Sequence, residues 1–496
     1  MNMKHILTAE QMRQADEAAI SGGVSAFELM QAAGRAVADM AQWVAPDTGR
    51  IVIVAGSGNN GGDGYAAAKW LSERNVRVTV VALTDPAELD EDAAEHARMA
   101  ELAGAKIRPA CETSDREFLV FWLNRAMLVV DAIFGTGLNR DLDGWMREAV
   151  EIINTSDRPV LSVDMPSGIN SDNGKVMGAA IKAEWTLPIT AIKWGHWLDE
   201  GRLHHGNLLP PADIGIDLSG IAAETHVLGE KVFKALTPPS RPDLHKGSFG
   251  HVWVFGGSQG FTGAPRLAAM GSMAVHTGLV SIVCPEDVYA LLASSSLEAM
   301  VHSDSSEAWP VAWKKADAVV AGPGWGLNQQ EALRMLLCSD RPLLLDADAL
   351  NMLAAQDKLK SLAIGRKAIT VFTPHAGEAG RLLACTAAQV QQDRPAALRR
   401  LVDLLQGWVV LKGAQTLIGA PDGRLWLCPF GGSRLATAGS GDVLSGMLGG
   451  LLGQGMPVEQ ALAAGVALHA KAGDEKGWHR AGQLPDKVAE LRDAML

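Results

Sequence analysis

Two glycine-rich segments contain the residues of this sequence whose types and spacing could do chemistry. The first spans residues 56–64, GSGNNGGDG, and follows an apolar run. The second spans residues 437–446, TAGSGDVLSG, in which Asp442 follows the glycines at the start of an apolar stretch. Glycine-rich turns and helix starts present unpaired N–H groups that suit phosphate. We therefore expect a loop over 56–64 that leads into a helix over 65–74, and a second anion site with a carboxylate beside it.

Two further aspartates, Asp131 and Asp164, end short β-branched runs and precede glycine-containing loops. Carboxylate, amide and hydroxyl oxygens suit a hard cation, so Asn60, Asp131 and Ser167 could share one ion. Asp164 would then remain for proton transfer. The alternative is that these strand-end aspartates cap the helices that follow them.

Polar residues and glycines also follow the apolar runs of the second half. Residues 411–416, LKGAQT, are typical of a strand and turn that contact the phosphate and ribose of a nucleotide. Asp346 and Asp348 stand in the segment DADALN, and the segment GPGWG over 322–326 predicts a close-approach loop. His375 stands in TPHAGE, where its neighbours favour a role in a site over the structural role usual for a lone histidine.

The elements that must position these residues alternate between short apolar runs and helical stretches. Such alternation predicts parallel sheets covered by helices on both faces, with ligands beyond the carboxyl ends of the strands. The pattern fades between 215 and 245, which predicts two α/β domains, over 1–220 and 225–496. Near the start, Thr8 with Gln11 and Ser25 with Glu28 have the spacing of a capping box.

The composition excludes several classes of partner. The 496 residues carry a formal net charge of −12, which argues against a nucleic acid or an anionic membrane as partner. No run reaches the ~18 apolar residues of a membrane span, and the first residues lack the apolar core of a signal peptide. The five cysteines are far apart, which is typical of reduced, mostly buried thiols. We expect a cytoplasmic protein.

Three motifs of the first half, GSGNNGGDG, VDAIFGTGL and VDMPSGIN, resemble in their order the NAD(P)H-hydrate epimerase domain. The resemblance covers residues 5 to 220 and implies a Rossmann-like domain that interconverts the R and S hydrates at C6 of the nicotinamide ring. It also implies that Asp164 contacts the hydrate and that Asn60, Asp131 and Ser167 bind a potassium ion. The other hydrate-binding residues that it implies are Asn59, Asn60, Gly61, Gly62, Asp63, Gly135, Thr136, Gly137, Leu138, Asn139, Arg140 and Asp141.

Epimerisation at a carbon that bears a hydroxyl and a ring nitrogen requires that the C–O bond breaks and reforms, or that the ring opens and closes. Either route needs a positioned acid or base, and we expect Asp164 to be that group. Lys193 matches a lysine of a late strand in the family, but the residues around it depart from the family pattern. The alternative for Lys193 is a salt-bridging lysine on the surface.

The second half, over residues 225 to 496, resembles the ADP- or ATP-dependent NAD(P)H-hydrate dehydratase, and its GSGD segment is the GxGD arrangement of the ribokinase-like superfamily. In that superfamily the aspartate acts as base on a hydroxyl that attacks the terminal phosphate of a nucleotide, which implies this role for Asp442. The resemblance implies that the nucleotide, with Mg²⁺, contacts Lys412, Gly413, Ala414, Gln415, Thr416 and Gly441. It implies that the hydrate contacts Ala264, Gly324, His375 and Asp442.

Three properties of the second half rest on the resemblance alone. The DADALN loop either lies near Mg²⁺ or the substrate, or caps a helix. We expect ADP as the phosphate donor because the fused two-domain form looks bacterial. We also expect a homo-oligomer, because the dehydratase domains of the family commonly assemble.

The two halves together predict an enzyme that repairs hydrated NADH and NADPH (NADHX and NADPHX) by epimerisation and nucleotide-dependent dehydration of the S form. One alternative is a ribokinase-like small-molecule kinase with an accessory nucleotide-binding N-terminal domain. Another is an N-terminal half that binds a ligand but has lost catalysis, which the intact NNGGD segment and Asp164 argue against.

Overall fold

Apolar, β-branched runs build a separate sheet in each half of the chain. The computed structural model describes residues 6–45, 49–221, 225–237, 243–305 and 313–495. The chain divides into an N-terminal unit, 1–222, and a C-terminal unit, 223–496. Each unit has its own hydrophobic core and is described by itself.

The strands of the N-terminal unit form a seven-stranded sheet and a separate pair. They are β1 (Ile6–Leu7), β2 (Arg50–Ala55), β3 (Arg77–Ala82), β4 (Lys106–Pro109), β5 (Ala126–Ala132), β6 (Val160–Val163), β7 (Trp185–Leu187), β8 (Ile192–Lys193) and β9 (Asn207–Leu208). The sheet has the order β4-β3-β2-β5-β6-β7-β9, and all neighbours in it are parallel. The carboxyl ends of β2, β5 and β6 therefore lie together at one edge. The separate pair, β1 and β8, places Leu7 beside Lys193.

Helices enclose this sheet so that its strands are apolar on both faces. Residues of α2, α3 and α4 share one core with Ile51 and Ile53, whereas residues of α5 and α6 share a second core with Val52 and Val54. Both predicted capping boxes are confirmed, at the starts of α1 and α2. The helices are α1 (Ala9–Ser21), α2 (Ala26–Val44), α3 (Asn59–Glu73), α4 (Glu91–Leu102), α5 (Arg116–Leu123), α6 (Gly144–Asn154) and α7 (Gly201–His204).

The prediction of a loop over 56–64 followed by a helix over 65–74 is wrong, because α3 already begins at Asn59. Glycine is a poor helix former, but close packing requires it here. A Cβ atom on Gly61 would lie 2.0 Å from the carbonyl oxygen of Gly56, and one on Gly62 would lie 2.4 Å from Sδ of Met30. The glycines therefore let the first turns of α3 approach the end of β2 and the side of α2.

The strands of the C-terminal unit form one sheet. They are β10 (Thr225–Val227), β11 (His251–Phe255), β12 (Leu279–Cys284), β13 (Met300–Ser303), β14 (Ala318–Ala321), β15 (Leu343–Leu345), β16 (Thr370–Phe372), β17 (Trp408–Leu411), β18 (Leu417–Gly419) and β19 (Leu425–Leu427). Their order is β10-β19-β18-β17-β16-β15-β14-β11-β12-β13. The expectation of a parallel sheet is corrected at β18, which is antiparallel to both β17 and β19. The turn 412–416 is too short for the crossover that a parallel pair requires.

Eleven helices in the described part of the chain surround this sheet, and α16 is buried over most of its length. A Cβ atom on Gly446 of α16 would lie 1.8 Å from the carbonyl oxygen of Ala268 in α8, so these two helices touch through their backbones. Both units are α/β, and the predicted fold class is confirmed. The helices are α8 (Gly263–Ala274), α9 (Glu286–Ser295), α10 (Gln330–Leu337), α11 (Ala347–Ala355), α12 (Asp357–Ile364), α13 (Ala376–Leu383), α14 (Ala387–Gln392), α15 (Arg394–Leu405), α16 (Ser440–Gly453), α17 (Val458–Asp474) and α18 (Leu484–Ala494).

The expectation of mostly buried thiols is corrected by the positions of the five cysteines. All five are free, as expected, but only Cys284 and Cys428 are buried, whereas Cys111 and Cys338 are exposed. Cys338 is exposed because it caps the carboxyl end of α10 instead of lying in a strand. Among the described helices, none combines the length and the apolar character needed to cross a membrane.

Candidate active sites

A cavity of about 780 Å³ lies in the N-terminal unit, at the edge where β2, β5 and β6 end. Apolar side chains such as Leu29 and Met30 line it together with polar groups from the strand ends and from the start of α3. A few polar groups in a partly apolar cavity are typical of a small-molecule site. The cavity brings together nine of the residues predicted to contact the hydrate: Asn59, Asn60, Asp63, Gly135, Thr136, Gly137, Leu138, Asn139 and Asp164.

Asp164 is held in an unusual conformation at the end of β6. Its φ of +65° lies in the left-handed region, which costs a residue other than glycine about 1–3 kcal/mol and is common at functional sites. Two contacts maintain it: Nε2 of His196 lies 2.8 Å from the carbonyl oxygen of Asp164, and the N–H of Ile189 donates to Oδ1 at 3.0 Å. Burial lowers the pKa of His196 to about 3, so its ring stays neutral.

Lys193 forms an ion pair with Oδ1 of Asp164 and donates a second hydrogen bond to the carbonyl oxygen of Ile189 at 2.7 Å. Only 1% of Lys193 is exposed, and it lines the cavity. The alternative of a surface lysine is therefore wrong, because the pairing of β8 with β1 places this residue inside the unit. Oδ2 of Asp164 points instead to Gly135, where an added Cβ atom would lie 3.1 Å from it.

Asp131 is a fully buried carboxylate at the end of β5. It accepts hydrogen bonds from the N–H and Oγ of Ser167, at 2.9 and 2.5 Å, and from Oγ of Ser162 at 2.8 Å. Burial raises the pKa of Asp131, and the hydrogen bonds from Ser167 and Ser162 act against that rise. In the described ranges no basic side chain forms an ion pair with Asp131. The group therefore has the character of a cation site.

Four of the residues predicted to bind the hydrate, all of them described, do not line the cavity. Gly61 and Gly62 pack against the backbone of Gly56 and the side chain of Met30. Arg140 and Asp141 lie further along the loop that supplies Gly135. The two glycines act on the site through the position of α3.

Two cavity carboxylates have no bound partner. Asp16 of α1 and Asp63 of α3 both line the cavity, and neither carboxyl group forms a hydrogen bond or ion pair with another described residue. Burial, followed by the charges of Asp164 and Asp16, raises the pKa of Asp63 well above its usual value. Burial also raises the pKa of Asp16 to about 6. The place of Asp16 and the role of Lys193 were not predictable from the sequence, because no spacing within α1 or β8 shows that both residues line one cavity.

The C-terminal unit concentrates charge around Lys412, at the end of β17. Its ammonium lies 2.6 Å from Oδ1 of Asp346 and 4.0 Å from Oε2 of Glu378. The other carboxylate oxygen of Asp346 accepts a hydrogen bond from Oγ of Ser445 in α16 at 2.5 Å. Although Asp346 precedes α11, its side chain does not cap that helix. The capping alternative is therefore wrong for Asp346, which instead connects β15, β17 and α16.

Asp442 lies in the first turn of α16, next to this charged group. A Cβ atom on Gly441 would lie 3.4 Å from Nζ of Lys412, so the predicted nucleotide residues Lys412 and Gly441 are neighbours. Burial, together with the charges of Asp346 and Asp348 and against that of Lys412, raises the pKa of Asp442 to about 7. Nε2 of buried His469 lies 2.9 Å from the carbonyl oxygen of Ser440 and steadies the same turn.

The remaining predicted residues lie in three places. A Cβ atom on Gly324 would lie 3.1 Å from Cβ of Ala264, so these two hydrate candidates are adjacent. His375 is half exposed, and its Nδ1 accepts hydrogen bonds from the first N–H groups of α13, so it also caps that helix. Gly413, Ala414, Gln415 and Thr416 form the turn between β17 and β18, in which Gln415 is buried and Gly413 and Ala414 are exposed.

Comparison with known proteins places both units in one family. A family model described as NAD(P)H-hydrate dehydratase matches residues 252–491, and one described as YjeF-related protein N-terminus matches residues 26–195. The bifunctional NAD(P)H-hydrate repair enzyme Nnr of Coxiella burnetii is 35% identical, over 97% of each chain. The enzyme of the same description from Escherichia coli is 34% identical, over 94% of this chain and 88% of its own length.

A solved structure was found for the C-terminal unit. The ADP/ATP-dependent NAD(P)H-hydrate dehydratase from Bacillus subtilis, co-crystallised with ATP and Mg²⁺, is 30% identical, with a TM-score of 0.47. The match covers 54% of this chain and 98% of that one. Since the full-length relatives match nearly end to end at 34–35% identity, the chain belongs to the family of bifunctional NAD(P)H-hydrate repair enzymes.

Proposed function

We propose that the chain repairs NADHX and NADPHX, the forms of NADH and NADPH hydrated at C6 of the nicotinamide ring. The N-terminal unit interconverts the R and S hydrates, and the C-terminal unit dehydrates the S form with an adenine nucleotide and releases phosphate. The observation that carries this proposal is the match of both units to bifunctional repair enzymes. It favours repair over a small-molecule kinase, and over an N-terminal unit that only binds.

In the N-terminal unit, Asp164 is the proton-transfer group. Lys193 and the N–H of Ile189 hold its Oδ1, which leaves Oδ2 for a proton of the hydrate or of water. The left-handed backbone of Asp164 aims this oxygen at the loop of Gly135. The hydrate-binding set remains the one implied by the resemblance: Asn59, Asn60, Gly61, Gly62, Asp63, Gly135, Thr136, Gly137, Leu138, Asn139, Arg140 and Asp141.

The residues Asn60, Asp131 and Ser167 suit a potassium ion. Asp131 is a buried anion with no cationic side chain bound to it in the described ranges, and Asn60 and Ser167 add amide and hydroxyl oxygens. Bound there, K⁺ supplies a fixed positive charge beside the site. We expect epimerisation to fall when Na⁺ replaces K⁺ in the assay buffer, while dehydration of pure S hydrate at saturating nucleotide changes less. Equal epimerase rates in the two salts would contradict this assignment.

In the C-terminal unit, Asp442 takes the proton of the C6 hydroxyl. The hydroxyl oxygen then attacks the terminal phosphorus of ADP, and the bond to the AMP leaving group breaks. The unpaired N–H groups at the start of α16 stabilise the transferred phosphate. Phosphate is a better leaving group than hydroxide, so the lone pair of N1 expels it, and loss of a C5 proton restores the dihydropyridine. Residues 412–416 and Gly441 hold the nucleotide, which brings Mg²⁺ on its phosphates, and Ala264, Gly324 and His375 hold the hydrate.

The setting of the enzyme is part of the same proposal. A net charge of −12 disfavours partners that are nucleic acids or anionic membranes, and it suits an enzyme of small-molecule substrates. We propose that it works in the cytoplasm as a homo-oligomer.

The decisive experiment supplies the purified protein with a mixed R/S hydrate of NADH, ADP and Mg²⁺. We expect NADH to be recovered in full, with equimolar release of phosphate, because the epimerase feeds the dehydratase. Recovery of only the S fraction, at times short compared with spontaneous exchange, would remove the epimerase. Accumulation of a stable phosphorylated compound in place of NADH would favour the kinase.

A further inference from the structure

Asp16 is a cavity carboxylate that the mechanism above does not use. It lies on α1, lines the cavity with Asp164 and Lys193, and is partly buried. Its carboxyl group forms no hydrogen bond or ion pair with any other described residue, although the neighbouring Glu17 pairs with Arg13. A carboxyl group that leaves water for a cavity wall without a partner loses hydration free energy. Natural proteins commonly keep a residue that lowers their stability in this way because the residue serves their function.

The fold fixes Asp16 relative to Lys193. Leu7 of β1 pairs with Lys193 of β8, and α1 begins directly after β1. Thr8 caps α1, and the N–H of Ala9 donates to Oδ1 of Asp172 at 2.7 Å. These contacts fasten the start of the helix to the strand that carries Lys193 and to the loop that follows Asp164. Asp16 therefore stands on a rigid element, as a catalytic group requires.

The cavity gives its carboxyl groups two different environments. Asp164 forms an ion pair with the ammonium of Lys193. Asp16 has no such partner: burial, together with the charges of Asp164 and Glu17 and against that of Lys193, raises the pKa of Asp16 to about 6. Two carboxyl groups whose environments differ in this way are the usual arrangement of one base and one acid.

Epimerisation by loss and return of water needs both a base and an acid. The departing hydroxyl must receive a proton, and the incoming water must lose one. The two oxygens stand on opposite faces of the ring, since the configuration at C6 inverts. One carboxyl group can reach only one face at a time, so a second group is required on the other.

We propose that Asp16 is the proton donor of the epimerase, and that it works with Asp164 as the proton acceptor. This inference rests on the epimerase function proposed above. Asp16 gives its proton to the C6 hydroxyl, the C6–O bond breaks with its electron pair on the departing water, and the lone pair of N1 forms the C6–N1 double bond. Water then adds to C6 from the other face, the electron pair of that double bond returns to N1, and the proton of the added water passes to Asp164. Proton exchange through water then returns the proton from Asp164 to Asp16, and the opposite epimer reacts through the same steps in reverse.

The test compares three variants of the full-length protein: Asp16→Asn, Asp16→Glu and Glu17→Gln. Glu17 is the matched control, an exposed carboxylate on the same helix. We expect Asp16→Asn to lower kcat for epimerisation by about 10²–10⁴-fold, the usual contribution of a general acid, with KM little changed. Asp16→Glu should restore part of the rate. Glu17→Gln should keep the wild-type kcat at pH values where Asp16 is protonated, and only shift the fall in rate to slightly lower pH, because the charge of Glu17 contributes to the raised pKa of Asp16. Dehydration of pure S hydrate in the same preparations controls for the integrity of the C-terminal unit.

A pH profile and an isotope label separate catalysis from a structural role. If Asp16 must be protonated, wild-type epimerisation falls as the pH rises through about 6, and Asp16→Asn removes that fall. In H₂¹⁸O, each wild-type turnover introduces one ¹⁸O at C6. The proposal is overturned if Asp16→Asn keeps kcat, if it changes only KM or the thermal stability, or if epimerisation proceeds without ¹⁸O. Absence of epimerisation in the wild type would instead refute the function on which the proposal rests.

Discussion

Asp346 combines two effects in one side chain. It is 1% exposed, and its two carboxylate oxygens contact Lys412 and Ser445, which come from different elements. It therefore positions both the lysine beside Gly441 and the first turns of α16. Its negative charge also contributes to the raised pKa of Asp442, after the larger effect of burial. Substitution of Asp346 should therefore change both the positions of Lys412 and α16 and the pKa of Asp442.

We predict that Asp346→Asn lowers the rate of dehydration by up to about 10²-fold, because Lys412 and α16 lose their common partner. Asp442 must be ionised to accept a proton, so wild-type dehydration rises as the pH passes through about 7. Without the charge of Asp346, and with that of Lys412 unopposed by it, the pKa of Asp442 falls. The rising limb of kcat/KM then moves to lower pH, which a pH profile with pure S hydrate measures.

Ser445→Ala is the control for Asp346→Asn. It removes the hydrogen bond from α16 to Asp346 but leaves every charge in place. We therefore expect the rate of dehydration to fall while the rising limb of kcat/KM stays near its wild-type pH. Epimerisation should be unchanged in both variants. A limb that does not move in Asp346→Asn would contradict the electrostatic part of the prediction.

At the scale of elements, periodicity predicted the strands well because each is a short apolar run that ends in a polar or glycine residue. The capping boxes at Thr8 and Ser25 were also predictable, since both partners of each box lie within four positions. The start of α3 was not, because the glycines that discourage a helix locally are required by the contacts of Gly61 and Gly62 with β2 and α2. Tertiary packing outweighed local propensity at this position.

The candidate sites also contain residues that local sequence predicts and residues that only tertiary packing brings into place. Motif residues such as Asp164 and Asp442 follow strands or begin helices, so local sequence predicts which edge of a sheet they reach. Lys193 and Asp346 depend on partners that are distant in the chain, such as Asp164, which lies 29 positions from Lys193. Asp16 lines a cavity whose other walls come from distant segments. No single segment of the sequence indicates these long-range contacts. Their roles became visible only from burial and contact distances.

At the scale of the whole molecule, the two proposed activities occupy separate units. The cavity with Asp164 is lined only by residues of the N-terminal unit, and the described contacts of Asp442 and Lys412 lie within the C-terminal unit. Each proposed catalytic aspartate is therefore supported by its own sheet and core. The hydrate is a small molecule, so we expect each unit to bind it from solution.

We predict that two inactive halves complement each other in trans. Asp164→Asn alone should convert only the S fraction of a mixed hydrate to NADH, and Asp442→Ala alone should epimerise without forming NADH. An equimolar mixture of the two variants, with ADP and Mg²⁺, should recover all of the NADH, because the S hydrate released by one protein is dehydrated by the other. The measurement is NADH absorbance at times short compared with spontaneous epimerisation. Recovery limited to the S fraction, from variants that each retain their remaining activity, would mean that the hydrate must pass between units of the same assembly.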